Sequence, residues 1–286
     1  MKSNTLVKKS PAATILALLA KIILIAWCAF SIFVLMWIAV SSFKTERELY
    51  KNPWGWFAVA QLENYVGVWQ KNNFSQYFTN SIFVVGMSCL FVTLISAPAA
   101  YALAKTKFRF QSGINFYIIL GMGIPVQLLI IPLYSMLSKV GLVDNHWGLI
   151  AVYTAISIPF TIFLQSSYFS TLPSVLSEAA LIDGCSPFGV FFHIMLPLGK
   201  SGIITSLIFN FISLWNEFMI ALTFTSTNTK FTLPVGIYAL NTAMTYIGRW
   251  TMLLAGLIVA LIPTLIIYLL LSRNIIEGLT MGAVKE

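Results

Sequence analysis

The chain has 286 residues, of which 58% are hydrophobic and only 9% are Asp, Glu, Lys or Arg, against about 25% charged residues in an average soluble domain. So few charges cannot cover the surface of a soluble protein this long, and a mean hydropathy of +0.87 agrees that this is a membrane protein. The net charge of +8 is spread between apolar runs, with Lys8-Lys9 its longest unbroken cluster; this is not the basic face of a nucleic-acid binder but fits the positive excess of cytoplasmic loops.

A spanning helix needs roughly 20 mainly apolar residues to cross about 30 Å of hydrocarbon. Residues 22–40 form the first such run and contain no charge. Lys8 and Lys9 ahead of it resemble the start of a signal peptide. The run is too long for a signal core, however, and no small-residue cleavage site closes it, so it reads as an uncleaved first span. Further runs at 81–104, 114–137, 148–169, 202–224 and 252–271 bring the expected number to six, an all-α membrane fold. Pro98, Pro125, Pro132, Pro159 and Pro263 fall inside these runs. Proline removes a backbone hydrogen bond and kinks a helix, and neighbouring helices of a bundle absorb the kink. Plain structural kinks and an irregular bundle around a pathway both fit.

Orientation follows from Lys and Arg counts. With the N-terminus inside, ten basic residues fall on cytoplasmic segments and seven on the longer outer segments. The clearest vote is Lys105, Lys107 and Arg109 in one short turn without an acid. Both termini are therefore expected in the cytoplasm, with an N-terminal segment 1–21, a six-span domain 22–272 and a tail 273–286. Two outer segments are long. Residues 41–80 carry Trp54, Trp56 and Trp69, and 225–251 are rich in Thr and Asn. The aromatics read as an interfacial belt or as a surface for an external protein or sugar. Cys28, Cys89 and Cys185 are too widely spaced for a disulfide framework or a metal site. His146 and His193 are predicted on opposite membrane faces, so no metal is expected.

The segment 170–201 is too long for a tight turn and too interrupted for a span. Pro173 suits a first helical position, residues 174–183 are good helix formers, and Gly184 suits a helix C-terminus. Ser186 is placed to cap a second short helix, with Pro187 at its first position. Phe188, Phe191, Phe192 and Met195 then share one side at i, i+3, i+4 and i+7, and Pro197 is expected to stop the helix. The result is a helix–glycine–helix hairpin presenting apolar side chains beside Glu178 and Asp183. Such a knob suits docking into a groove of another protein or lying at the lipid boundary.

Glu178-Ala179-Ala180-Leu181-Ile182-Asp183-Gly184, followed by Phe191 and by Leu196-Pro197-Leu198, resembles the EAA loop of ABC importer permeases. In that pattern E-A-A, three residues and a glycine precede an I/L-x-L-P motif, and the loop lies before the last two spans. Cys185, for a usual alanine, and Ser201, where a proline often follows, are the departures. Trp215-Asn216-Glu217-Phe218, the tail Glu277-Gly278-Leu279-Thr280-Met281-Gly282-Ala283-Val284-Lys285 and Asn80-Ser81 at the start of the second span resemble the maltose-type carbohydrate importers in particular. The likeness covers most of 80–285.

The resemblance implies a type I importer permease fold whose coupling helices, here 173–200, sit in a cleft of an ATPase, so that nucleotide-driven closure rocks the bundle. Glu178 is then the polar anchor, with Ala179, Ala180 and Asp183 beside it. Gly184 makes the turn, Phe188, Phe191 and Met195 are the apolar knobs, and Pro197 ends the loop. Gly278, Leu279, Thr280 and Gly282 would add a second contact with the ATPase. Also implied are a second, homologous permease chain, two ATP-binding cassette subunits that hold ATP and magnesium, an extracellular solute-binding protein, and a prokaryotic inner-membrane location. The chain itself would bind no cofactor and be no enzyme. The segment 225–251 would dip into the binding protein's cleft to expel sugar.

Gly199-Lys200-Ser201 resembles the end of a phosphate-binding loop, but the glycine required five places earlier is Ile194 and no strand precedes it. Glu217 is the only carboxylate well inside an expected span. An intramembrane acid is a functional hypothesis by default, and here a structural role near an outer gate and a role in the pathway both stand. Asn80, Trp215 and Asn216 are the other candidates for lining the pathway. An ion-coupled carrier would be expected to show internal repeats and paired buried charges, and none appear. A membrane enzyme would need a nucleophile–base pair or a metal cluster, which the loops do not offer. The solute stays open between a sugar or oligosaccharide and another compound such as a glycerol-phosphate ester.

Overall fold

The computed structural model describes residues 11–71 and 73–283, and every regular element among them is helical. Helix α1 (Pro11–Ser42) starts at Pro11 rather than at residue 22, and none of its most apolar window is buried within the chain. It packs mainly on the last helix of the chain, leaving its Leu, Ile and Phe side chains to lipid or to a partner. A short helix α2 (Glu46–Lys51) follows, opened by a capping box in which Thr45 Oγ1 accepts from Glu48 N at 3.2 Å while Thr45 N donates to the Glu48 carboxylate at 2.8 Å. Helix α3 (Glu63–Val66) runs into a π-helical turn, Gly67–Lys71. Lys44 is buried at this corner, its ammonium donating to the carbonyls of Asn52 and Pro53 at 3.0 Å each. Burial pushes its pKa down, against the opposing pull of Glu48.

The axis of the bundle is the pair α4 (Phe74–Lys105) and α7 (His146–Thr171), whose mutual contact is the most extensive in the fold. Buried Ser88, Ser96, Ala97 and Ala100 on α4 are small enough to let the two backbones close up. Between them in sequence, the run 114–137 is not one straight helix. It forms α5 (Gln111–Gly123) and α6 (Val126–Lys139), bent by 98° at their junction. The cause is Pro125: the residue before a proline is driven out of the helical region, and Ile124 is extended with φ −80° and ψ 119°. Pro98, Pro132, Pro159 and Pro263, by contrast, stay inside continuous helices.

After α7 come α8 (Val175–Ile182), α9 (Pro187–Val190), a second π-helical turn (Phe191–Met195), α10 (Leu196–Leu198) and α11 (Lys200–Trp215). Pro197 does not stop the chain's helical course. It sits in the first positions of α10, and the path turns by 72° into α11. The expected span 202–224 is broken too: α11 ends at Trp215 and α12 (Met219–Phe224) begins after a three-residue gap. The outer segment 225–251 holds a 15-residue helix, α13 (Leu233–Ile247). Helix α14 (Trp250–Ala283) closes the chain; 34 residues at about 1.5 Å each make it roughly 51 Å long, well beyond a hydrocarbon layer of about 30 Å. The tail through Ala283 therefore continues a helix, although the surroundings of Gly278, Leu279, Thr280 and Gly282 are not described, and Lys8, Lys9 and Val284 lie outside the described residues.

Among the described residues, four helices are long and apolar enough to cross a membrane, or up to six if each bent pair counts as one span. The core has two parts. The larger joins α4, α7, α13 and α14 near Phe74, Tyr153 and Phe224, and the smaller gathers Ala100, Leu103, Ile162, Phe169, Phe191 and Met195 around the hairpin.

Candidate functional site

The hairpin is built by local chemistry. Gly184 has φ +84°, a left-handed conformation that costs an L side chain roughly 1–2 kcal/mol. It lets Cys185 N reach Ala180 O at 2.9 Å and Gly184 N reach Leu181 O at 3.1 Å, the double bond of a Schellman C-cap. Ser186 Oγ then accepts from Gly189 N at 3.1 Å, and Pro187 takes the first helical position. The hairpin exposes Glu178, Ala179 and Asp183, with Ala180 buried beneath. Ile182 and Phe188 stand 85% and 79% exposed.

The single apolar face expected of Phe188, Phe191, Phe192 and Met195 does not form. The π-helical turn shifts the register, so Phe188 and Phe192 point out while Phe191 and Met195 are buried. Phe191 lies 5.3 Å, ring centroid to centroid, from Tyr101 of α4, and Met195 belongs to the same small core as Phe169. Phe191 and Met195 are thus the root that holds the hairpin on the bundle, and its exposed apolar residues include Val175, Leu176, Leu181, Ile182, Phe188 and Phe192. The Gly199-Lys200-Ser201 stretch is a helical turn: a Cβ on Gly199 would sit 2.4 Å from the buried Phe169 ring and 3.0 Å from Met195 O. Lys105, at the end of α4, donates to Leu172 O at the end of α7, so the basic turn 105–109 lies at the same end of the bundle as the hairpin.

A second feature is a cavity of about 460 Å³ beside the breaks in both interrupted runs. Gln127 and Ile130 of α6, Ser157 and Phe160 of α7, and Phe209 and Asn210 of α11 line it, together with Ser213 and Glu217. Glu217 lies in the gap between α11 and α12, not inside a helix as expected. Its carboxylate receives Tyr153 Oη at 2.6 Å, Ile220 N at 2.8 Å and Ala221 N at 3.0 Å. It satisfies two N–H groups that the first turn of α12 leaves without intrahelical partners, and the fully buried Tyr153 anchors it from the core side. Above it, α7 and α11 are joined by Asn210 Nδ2 to Thr161 Oγ1 at 2.8 Å and Gln165 Nε2 to Ser206 Oγ at 2.7 Å.

Of the four candidates for lining a pathway, only Glu217 reaches this cavity. Trp215 is 2% exposed, stacks on Phe211 and donates to Ala260 O at 3.2 Å. Asn216 is exposed, its side chain donating back to Ile212 O at 2.8 Å. Asn80 does not open a helix; α4 begins six residues earlier, at Phe74. It is buried and donates to Thr229 O and Phe231 O, both at 2.9 Å, while Ser81 Oγ accepts from Leu233 N at 2.7 Å. Asn80 and Ser81 therefore pin the start of α13 to α4. Sequence reasoning missed Tyr153, Gln127, Asn210 and Ser213, because a lone polar residue in an apolar run carries no sign of which neighbour it faces.

At the end of the bundle away from the hairpin, Asp144 clasps the segment 226–230. Its carboxylate accepts from Ser226 N at 2.9 Å, Thr227 N at 3.0 Å and Thr227 Oγ1 at 2.6 Å, and pairs with Lys230 at 3.1 Å. Burial alone would raise the Asp144 pKa, but the bonds from Thr227, Ser226 and Lys230 together outweigh it and hold the carboxyl well below the usual range.

Residues 93–277 match the family described as the inner membrane component of binding-protein-dependent transport systems. Over 254 residues, 88% of this chain and 83% of the relative, the sequence is 37% identical to the probable ABC transporter permease protein YurM of Bacillus subtilis. It is 34% identical over 269 residues, 94% and 89% of the two chains, to the diacetylchitobiose uptake system permease protein NgcG of Streptomyces coelicolor. The fold is shared with a chain of a bacterial ABC transporter involved in the import of the acidic polysaccharide alginate, at a TM-score of 0.79 and 21% identity, over 93% of this chain and 98% of that one. The exposed hairpin, the broken helices and these matches together place the chain in the ABC transporter permease family, as a membrane component of a binding-protein-dependent transport system.

Proposed function

We propose that this chain is one of two permease subunits of an ATP-driven importer that takes up a sugar or oligosaccharide handed over by an extracellular binding protein. The observation that carries the reading is the hairpin. It presents Leu181, Ile182 and Phe188 to the surroundings next to Glu178 and Asp183, a mixture that suits a protein groove better than lipid or water alone. Its root on Tyr101, Phe169 and Met195 links any force on the hairpin to α4, α7 and α11. Because the basic turn lies at the same end, that end is assigned to the cytoplasm, where a pair of ATPase subunits would bind ATP and magnesium and grip the hairpin. The continued helix of α14, with Gly278 to Gly282, is assigned a second contact on that side. The opposite end, with α13 and its exposed Asn241 and Tyr246, is assigned to the binding protein. The cavity at Glu217 is this chain's share of the solute pathway, and the exposed apolar face of α6 is turned toward the second permease.

The test is affinity purification of the tagged chain in mild detergent, followed by reconstitution with its co-purifying proteins. An ATPase and a second permease are expected to accompany it. Glu178→Lys is expected to release the ATPase or to abolish solute-stimulated hydrolysis while the two permeases stay together. A chain that purifies alone and transports in vesicles without ATP would overturn the proposal.

A further inference from the structure

The cavity lining has an unusual balance of chemistry. Among its lining residues are two amides, Gln127 and Asn210, two hydroxyls, Ser157 and Ser213, and one carboxylate, Glu217; there is no Lys, Arg or His. Phe160 and Phe209 also line it, packed edge to face with centroids 6.0 Å apart. Its volume of about 460 Å³ falls within the roughly 300–1,000 Å³ of ordinary small-ligand sites.

Glu217 decides what such a site accepts. The carboxylate is fixed from behind by Tyr153 Oη and by the amides of Ile220 and Ala221. It cannot swing away without leaving a phenol in the core and two backbone donors unpaired. Those amides are the donors a solute anion would otherwise seek at the break, and the chain's own carboxylate already fills them. An incoming anion therefore meets a carboxylate held in place and finds no cation in the lining. A neutral polyol meets acceptors on Glu217, Asn210 and Gln127, hydroxyls on the serines, and the rings of the two phenylalanines. Three donors on the carboxylate leave one of its roughly four lone-pair positions open.

We propose that this cavity holds an uncharged glycosyl unit of the transported solute, and that Glu217 excludes anionic solutes such as uronic acids and phosphate esters. The inference rests on the reading of the cavity as part of the solute pathway. It makes Glu217 a specificity-determining residue and Tyr153 the positioning residue that holds it.

The test uses the reconstituted transporter carrying Ser213→Cys, with labelling followed at the peptide containing that position so that Cys28, Cys89 and Cys185 do not interfere. Neutral and anionic methanethiosulfonates of similar size are compared. The neutral reagent is expected to react about tenfold faster or more, and the ratio is expected to fall toward one in Glu217→Gln. Diacetylchitobiose is expected to slow labelling, and an alginate disaccharide is not. Tyr153→Phe, which keeps the charge, is expected to retain discrimination between reagents while weakening protection by the neutral sugar. Equal labelling by both reagents in the Glu217 background, or equal protection by the acidic sugar, would overturn the inference even if Glu217→Gln fails to fold. ATP-driven uptake measured on the same vesicles is independent of that outcome, so the importer reading survives or fails separately.

Discussion

Asn80 offers a direct measure of how the far end of the bundle is held. Its amide donates to two carbonyls, Thr229 O and Phe231 O, across about 150 residues of chain. Asn80→Ala removes both donors. At about 0.5–1.5 kcal/mol per bond, the segment 228–233 loses roughly 1–3 kcal/mol of local stability. Since 1.4 kcal/mol is a factor of ten, amide exchange in this segment is expected to accelerate about 5- to 150-fold. Asn80→Asp is the sharper variant, because it turns a carboxylate toward the two carbonyl oxygens and replaces attraction with repulsion at nearly constant volume. The assay is hydrogen–deuterium exchange in detergent, read on the peptide containing Leu233, whose amide is held by Ser81. Exchange at 228–233 that is unchanged in Asn80→Ala, with Asn80→Asp no worse, would refute the assignment of Asn80 as a structural pin and return it to the list of pathway candidates.

The Asp144 clasp predicts a pH dependence with a definite sign. The folded carboxyl lies below its unfolded value of 3.8, so its contribution is complete above about pH 5 and fades as pH falls below 4 toward the folded value; exchange at 226–230 is expected to rise in that acid window, and in Asp144→Asn to be fast already at neutral pH. Gly199→Ala would drive a Cβ to 2.4 Å from a ring of Phe169 that is buried in the small core; overpacking of this kind costs about 1–3 kcal/mol, and a drop in melting temperature in detergent is expected, larger than that of Gly189→Ala, where the neighbour is the Cys185 sulfur. Ser186→Ala removes the cap on Gly189 N and is expected to lose about 1 kcal/mol, seen as faster exchange at 187–190 with no change at 174–182.

What the sequence legibly contained was whatever neighbours in the chain decide. Charge scarcity and apolar run length named a membrane protein. Gly184, Ser186 and Pro187 specified a capped hairpin, because each acts on backbone groups within five residues. The E-A-A pattern within it was enough to point to the family. Where the reading departed from the structure, distant parts of the chain had intervened. A strict i, i+3, i+4, i+7 pattern put Phe191 and Met195 on one face with Phe188, whereas the π-helical turn separates them and seats Phe191 on Tyr101 and Met195 in the core with Phe169. Trp215 and Asn80 looked like pathway residues because polar or amphipathic groups in an apolar run announce a partner without saying which. Their partners lie 45 and about 150 residues away. Glu217 could be marked as unusual from sequence, yet its place in a helix break depends on Tyr153, 64 residues before it. In a membrane, backbone groups must be satisfied within the protein. The choice of which helix is broken, and which carboxylate fills the break, is therefore made by tertiary contacts and not by local pattern.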